Sequence, residues 1–220
     1  MVKKNREQPK LPEGWPELRK AKASAKTAWS YNQDLIKMLN DKLGRAKVAK
    51  IKKRIRGEQP AFPNKEINLK NAKKLAEKGW SYYRNLIKSM HKELGEERTA
   101  AIMEEMMRAN AHKYLKPTME KFGIQGNDAW SLASYFKLAT GDVIGYKTEL
   151  IEESPNKVVY RLYPPCLWFP KLDIPVRFCE SEDCFEREAV KIINPKIQVY
   201  GRAKMTGGDP YCEVVFLESK

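Results

Sequence analysis

The chain uses one sixteen-residue pattern twice. "WSYNQDLIKMLNDKLG" (29–44) and "WSYYRNLIKSMHKELG" (80–95) agree at eight of sixteen positions at an offset of 51. Trp29, Leu35, Ile36, Leu39 and Leu43 fall at helical spacing, so each copy predicts an amphipathic helix. Each copy ends in a glycine, Gly44 or Gly95, where a C-cap is expected. A second helical stretch follows each time, "RAKVAKIKKRIR" (45–56) and "EERTAAIMEEMMRANAHKYL" (96–115). The N-terminal half therefore predicts a duplicated helix pair. Trp29, Trp80 and Trp130 stand at matching points and read as anchors between helices.

Beyond residue 141 the period changes. "YKTELIEESPNKVVYRLYP" (146–164) holds two strand-like runs around Ser-Pro-Asn, a hairpin signal. "ESEDCFEREAVKIIN" (180–194) predicts one helix, and its early acids suit the helix dipole. "KIQVYGRAKM" and "YCEVVFLE" predict two more strands joined by "TGGDP". The expected fold class is α+β: a helical N-terminal half with a duplicated helix pair, packed on a C-terminal antiparallel β-sheet with one helix. The expected divisions are a flexible basic arm (1–19), a basic first helical repeat with its linker (20–64), a second repeat with following helices (65–140), and a cysteine-bearing α+β domain (141–220).

Charge is concentrated at one end. Residues 1–60 carry 17 Lys/Arg against 6 Asp/Glu, while the remaining 160 carry 25 against 22. In "RAKVAKIKKRIR", Val48, Ile51 and Ile55 form an apolar stripe beside seven basic residues. This helix predicts a docking surface for a protein partner or for a homo-oligomer through the helical half. No helix-turn-helix, ribonucleoprotein or zinc-finger pattern accompanies it, so nucleic acid is not expected. No apolar run is long enough to cross a membrane. "MVKKNREQPK" lacks the apolar stretch of a secretory signal, so a cytoplasmic location with reduced thiols is expected.

All four cysteines, Cys166, Cys179, Cys184 and Cys212, lie in the last quarter of the chain. Three chemistries are open to them. Four thiolates can hold zinc or an iron–sulfur cluster, although no C-x2-C pair is present. Free cysteine is also a small buried apolar residue. A cysteine favoured as thiolate can be a nucleophile, with nearby acids moving protons. Cys179 is expected just before a helix. Trp168, beside Cys166 in the proline-bounded "LWFP" loop, is expected at a pocket wall. No phosphate-binding glycine loop, GxSxG, HExxH or EF-hand pattern occurs.

The stretch from Cys166 through Cys179 to Asp183, then "NPKI" (194–197) and "MTGGDPYCEVVF" (205–216), resembles the L-2-amino-thiazoline-4-carboxylic acid hydrolase-like family over about residues 75–218. Cys184 is outside that pattern. The resemblance implies a hydrolase that opens a small cyclic amidine or thiazoline-type ring without a cofactor. Its catalytic residues would be Cys166, Cys179, Asp183, Asp209 and Cys212. Trp168, Arg177 and Arg202 would bind the substrate, an arginine facing its carboxylate. The family is in turn similar to 4-vinyl-reductase-type domains, which bind small molecules. The alternative is therefore a non-catalytic module that binds a small molecule, a metal or an iron–sulfur cluster (Cys166, Cys179, Cys184 and Cys212) and docks on a partner through its basic helices.

Overall fold

The computed structural model describes residues 6–55, 62 and 66–219. Most of the linker expected at 57–64 lies outside the described residues. The chain divides into two compact units, Gly14–Met106 and the described parts of Met1–Glu13 with Met107–Lys220.

In the first unit, α1 (Glu17–Leu43) packs along α3 (Leu69–Leu94), and α2 (Arg45–Lys53) packs on both. The helices α1 and α3 approach closely because Gly79 lies against Ala28: a Cβ at 79 would sit 2.7 Å from the Ala28 Cβ. Asn32 Nδ2 secures the contact by donating to the Ala28 and Gly79 carbonyls at 2.8 and 2.9 Å. Trp80 is buried, and its Nε1 donates to Ser24 Oγ at 3.2 Å; Trp29 is only half-buried. Gly44 and Gly95 end their helices at φ 77° and 79°, which explains a glycine at the same place in each copy. Val48, Ile51 and Ile55 are buried as their spacing predicts, but α2 ends at Lys53.

The helix α4 (Glu96–Lys121) contributes to both units and continues through Pro117 instead of stopping before it. In the second unit it is followed by α5 (Ala129–Phe136), capped by Asp128, whose Oδ1 accepts from Ser131 N–H at 2.8 Å. A π-helical segment, Lys137–Ile144, continues from α5. The hairpin β1 (Thr148–Ser154) and β2 (Lys157–Leu162) then pairs with β4 (Cys212–Glu218), and β4 with β3 (Ile197–Ala203). The sheet order is β1-β2-β4-β3, antiparallel throughout. The helix expected over 180–194 is two, α6 (Val176–Glu182) and α7 (Cys184–Ile193), with Asp183 at the joint.

Alternation along the strands sorts the two sheet faces. Leu150, Val158, Tyr160, Val214 and Phe216 share the face against which α5 packs. Phe136 stacks on Phe216 at 5.6 Å, and Tyr135 lies parallel to Phe185 at 6.0 Å. On the other face Glu149, Arg161 and Glu213 stand in cross-strand register. Arg161 and Arg202 both bind Glu213, at 2.6 and 2.5 Å, and hold its carboxyl below the usual range. The backbone of edge strand β1 is covered at Leu150, where the Gln8 side-chain amide both donates and accepts, at 2.8 and 2.9 Å. Gln8 belongs to the segment expected as a free arm, and Arg6 pairs with Asp128 and Glu152 in the same way.

Gly79→Ala should destabilise the protein by about 1–2 kcal/mol, because the clash of a new Cβ only 2.7 Å from the Ala28 Cβ outweighs the gain in helix propensity. Urea unfolding measures this; unchanged stability would contradict the close approach.

Candidate functional site

The α+β unit gathers three of its four cysteines in one place. Cys166 is buried after the hairpin; its sulfur accepts from Phe169 N–H at 3.3 Å and lies 3.5 Å from Tyr146 Oη. Tyr146 Oη in turn accepts from Trp168 N–H at 2.7 Å. Cys179 is inside α6, not before a helix, and Thr206 Oγ1 donates to its sulfur at 3.2 Å. Cys212 opens β4 and accepts from Met205 N–H at 3.3 Å. Cys166 is within electrostatic reach of both Cys179 and Cys212, and Lys204 is within reach of the same two.

Position decides the chemistry of these thiols. Burial pushes Cys179 up to about 12 and also raises Cys212. Both are thiols at neutral pH, since the hydrogen bonds from Thr206 and Met205 do not offset the desolvation. A helix N-terminus beside Cys179 would have favoured the thiolate; placement within α6 removes that help.

Lys204 and Asp183 form the ionic centre of the cluster. Lys204 Nζ is 2.6 Å from Asp183 Oδ2, a charge-assisted hydrogen bond; burial nevertheless raises the Asp183 carboxyl above its usual range, against the pull of the ammonium. Burial works against the ammonium, and the Asp183 carboxylate outweighs it, so Lys204 is raised. One turn further, Glu186 has its Oε2 sealed from solvent without a hydrogen-bond partner, although the residue as a whole is half-buried. Burial, reinforced by the Asp183 charge, pushes Glu186 up to about 8. Tyr160 Oη is also buried and lies beside Thr140 without a well-formed hydrogen bond. The phenols of Tyr135 and Tyr160 both feel Glu186, and Tyr160 also feels Cys212.

The remaining residues expected at a site are placed differently. Cys184 is buried and accepts from Arg187 Nη2 at 2.9 Å. Asp209 is exposed, and its carboxylate accepts from Lys204 N–H at 2.7 Å, which shapes the turn. Arg202 belongs to the Glu153–Glu213 ion pairs. Arg177 lies on α6, where its carbonyl accepts from Ser181 Oγ at 2.9 Å. Trp168 is half-buried, with its ring 6.2 Å from that of Tyr146. Among the described residues no group of three or more His, Cys, Asp or Glu side chains is arranged to hold a metal ion, so the four-cysteine zinc or iron–sulfur alternative has no support. The sequence reading missed Lys204, Tyr160, Thr206 and Tyr146, and counted Glu186 only among the acids near Cys179. Glu186 had a signal: it lies three and four residues before Ala189 and Val190, on the apolar face of α7.

No protein-family model matches the sequence, and neither does any curated protein. The fold does match solved structures. An H-NOX protein from S. oneidensis in the Fe(II)NO ligation state aligns over 87% of this chain and 99% of that chain, at a TM-score of 0.55 and 12% identity. An Fe(II) unliganded H-NOX variant from K. algicida aligns over 87% and 96%, at 0.55 and 8% identity. An H-NOX family member in which heme distortion was probed aligns over 87% and 94%, at 0.53 and 13% identity. At these identities the likeness is one of fold. It corrects several expectations. The thiazoline-hydrolase family is not the chain's structural kin, and the hydrolase reading with its catalytic thiols falls with it. The expectation of no cofactor also conflicts with a fold whose solved members include Fe(II) proteins. No helix among the described residues is long and apolar enough to cross a membrane.

Glu186 keeps its proton in the folded chain up to about pH 8, whereas an unfolded glutamate releases it near 4.5. The folded state therefore binds more protons inside this window, and stability falls as pH rises through it. Unfolding curves from pH 4 to 9 should show Glu186→Gln gaining stability relative to wild type across the window. Parallel curves would contradict a protonated Glu186.

Proposed function

We propose that the chain is a non-catalytic binding module for a small molecule, built on the fold seen in H-NOX domains, with its ligand held in the interior of the α+β unit. The observation that carries this reading is the group of thiols and acids around Lys204, in which burial raises Cys179 and Cys212 instead of activating them. Cys166, Cys179, Cys212 and Asp183 are read as the lining, with Trp168 at its margin. Arg177, Arg202 and Asp209 are read as supports of the surrounding fold. The duplicated helix pair (20–64 and 65–140) is read as a scaffold preceding the ligand-binding domain (141–220). The exposed Arg45, Lys50, Lys53 and Arg54 of the α2 region are read as a docking surface for a protein partner. A cytoplasmic location suits four cysteines that are all free.

Heme was tested against the residues of this unit, since an H-NOX neighbour carries it. Heme iron takes an axial donor such as histidine or thiolate. The chain has two histidines. The His112 side chain is 64% exposed, and its Nε2 lies 3.0 Å from Glu188. His91 is on α3 of the other unit. Within this unit, His112 is outside the interior where the thiols gather, and Cys179 and Cys212 are held as thiols. That interior does not fit a histidine-ligated heme.

A small-molecule fragment screen followed by NMR tests the reading. Bound fragments should shift signals of Tyr146, Tyr160, Met205 and Thr206, leave α1 and α3 unmoved, and be recovered chemically unchanged. Conversion of the fragment, or shifts confined to α1 and α3, would contradict it.

A further inference from the structure

Glu186 and Tyr160 reach the same interior from different elements, α7 and β2. Each ends in a buried polar atom without a partner, Glu186 Oε2 and Tyr160 Oη. Burying such atoms unsatisfied is costly, so a native fold that does so at two neighbouring points has room in its chemistry for a bound group. The surroundings define that group.

The charged and titratable groups that face Glu186 come from four places. Asp183 and Glu182 flank it from the α6–α7 joint, and Arg187 follows it on α7. Tyr135 approaches from α5, Tyr160 from β2, and Lys204 from the β3–β4 connection. Neither cation makes a hydrogen bond to Glu186. Lys204 Nζ is 2.6 Å from Asp183, and Arg187 Nη2 donates to the Glu180 carbonyl and the Cys184 sulfur, both at 2.9 Å. Glu186 is thus a carboxyl whose sealed oxygen has no hydrogen-bonding cation, and the Tyr135 and Tyr160 rings within its electrostatic reach belong to an aromatic cluster with Phe136 and Phe185. Aromatic faces favour an organic cation, and a strongly hydrated metal ion has no ligand cluster here. The π-helical segment that carries Thr140 beside Tyr160 is of a kind often found at functional sites.

We propose that Glu186 and Tyr160 form a subsite for a small organic ammonium ion, which binds by replacing the Glu186 proton. The ammonium N–H groups donate to Glu186 Oε2 and Tyr160 Oη, and the alkyl part lies against the aromatic rings. The exchange balances: protonated Glu186 and R-NH3+ give the ion pair of the Glu186 carboxylate with R-NH3+, and one proton goes to solvent. Below the Glu186 midpoint, affinity therefore rises about tenfold for each pH unit. This rests on the reading of the unit as a small-molecule module and names the ligand class of its site.

The test is a pH titration of full-length protein carrying 13C at glutamate carboxyls, followed by NMR, alone, with methylammonium chloride, and with tetramethylammonium chloride at equal ionic strength. The Glu186 resonance is the one missing from Glu186→Gln or, if that variant does not fold, the one displaced in Tyr160→Phe. Saturating methylammonium should lower its midpoint by at least one pH unit. Tetramethylammonium, which has no N–H donor, should leave it in place. Tyr160→Phe should weaken methylammonium binding several-fold. A midpoint unmoved by methylammonium, or moved equally by both salts, overturns the subsite. If fragments still shift Tyr146 and Thr206 in that case, only the subsite fails; if they bind nowhere in the unit, the module reading fails as well.

Discussion

The ion pair between Lys204 and Asp183 is the constraint on which the arrangement of the site depends. It ties the end of β3 to the joint between α6 and α7. Gly201 permits it: a Cβ there would lie 3.2 Å from Lys204 Cε and 3.5 Å from Asp183 Oδ2. Asp209 bends the following turn by accepting from Lys204 N–H, and the turn then presents Met205 N–H to Cys212 and Thr206 Oγ1 to Cys179. One cation thus fixes the places of two sulfurs. Its side-chain hydrogen bond goes to Asp183, and Glu186 Oε2 has no hydrogen-bond partner.

The two faces of the sheet show how context sets the fate of an acid. Glu213 is almost wholly buried, yet two guanidinium groups hold it ionised on one face. Glu186, within reach of Asp183 and of the Tyr135 and Tyr160 phenols, is raised by burial and keeps its proton at neutral pH. Paired charge makes the first a structural strut. Burial without such a pair raises the second instead.

Much of the fold was legible in the sequence, because periodicity and turn chemistry act locally. The repeated Trp-Ser-Tyr pattern and its closing glycines gave α1 and α3 with their caps. The apolar stripe of Val48, Ile51 and Ile55 and the two strand pairs were equally readable. The break at Asp183 was not, and the partner of its carboxylate lies 21 positions away. The gathering of three cysteines was legible in the sequence, but their chemistry was not. Cys166, Cys179 and Cys212 stood out by their clustering, whereas their state depends on burial, which spacing does not report. Lys204 looked like one more basic residue, and Glu186 like one more acid in an acidic helix. Asp209, prominent beside Cys212 in sequence, shapes the turn and points its carboxylate at backbone. The family resemblance misled because it rested on cysteine spacing, which a binding site and a nucleophilic site share.

The central claim is that Cys179 and Cys212 are protonated lining and not nucleophiles. The rate of iodoacetamide labelling at each cysteine of the folded protein, followed by mass spectrometry across pH, tests it most directly. Cys179 and Cys212 should react more slowly at neutral pH than the same cysteines in urea-unfolded chain, with rates that rise only in strong alkali. Either cysteine reacting faster in the folded protein than in the unfolded chain at neutral pH would contradict the account.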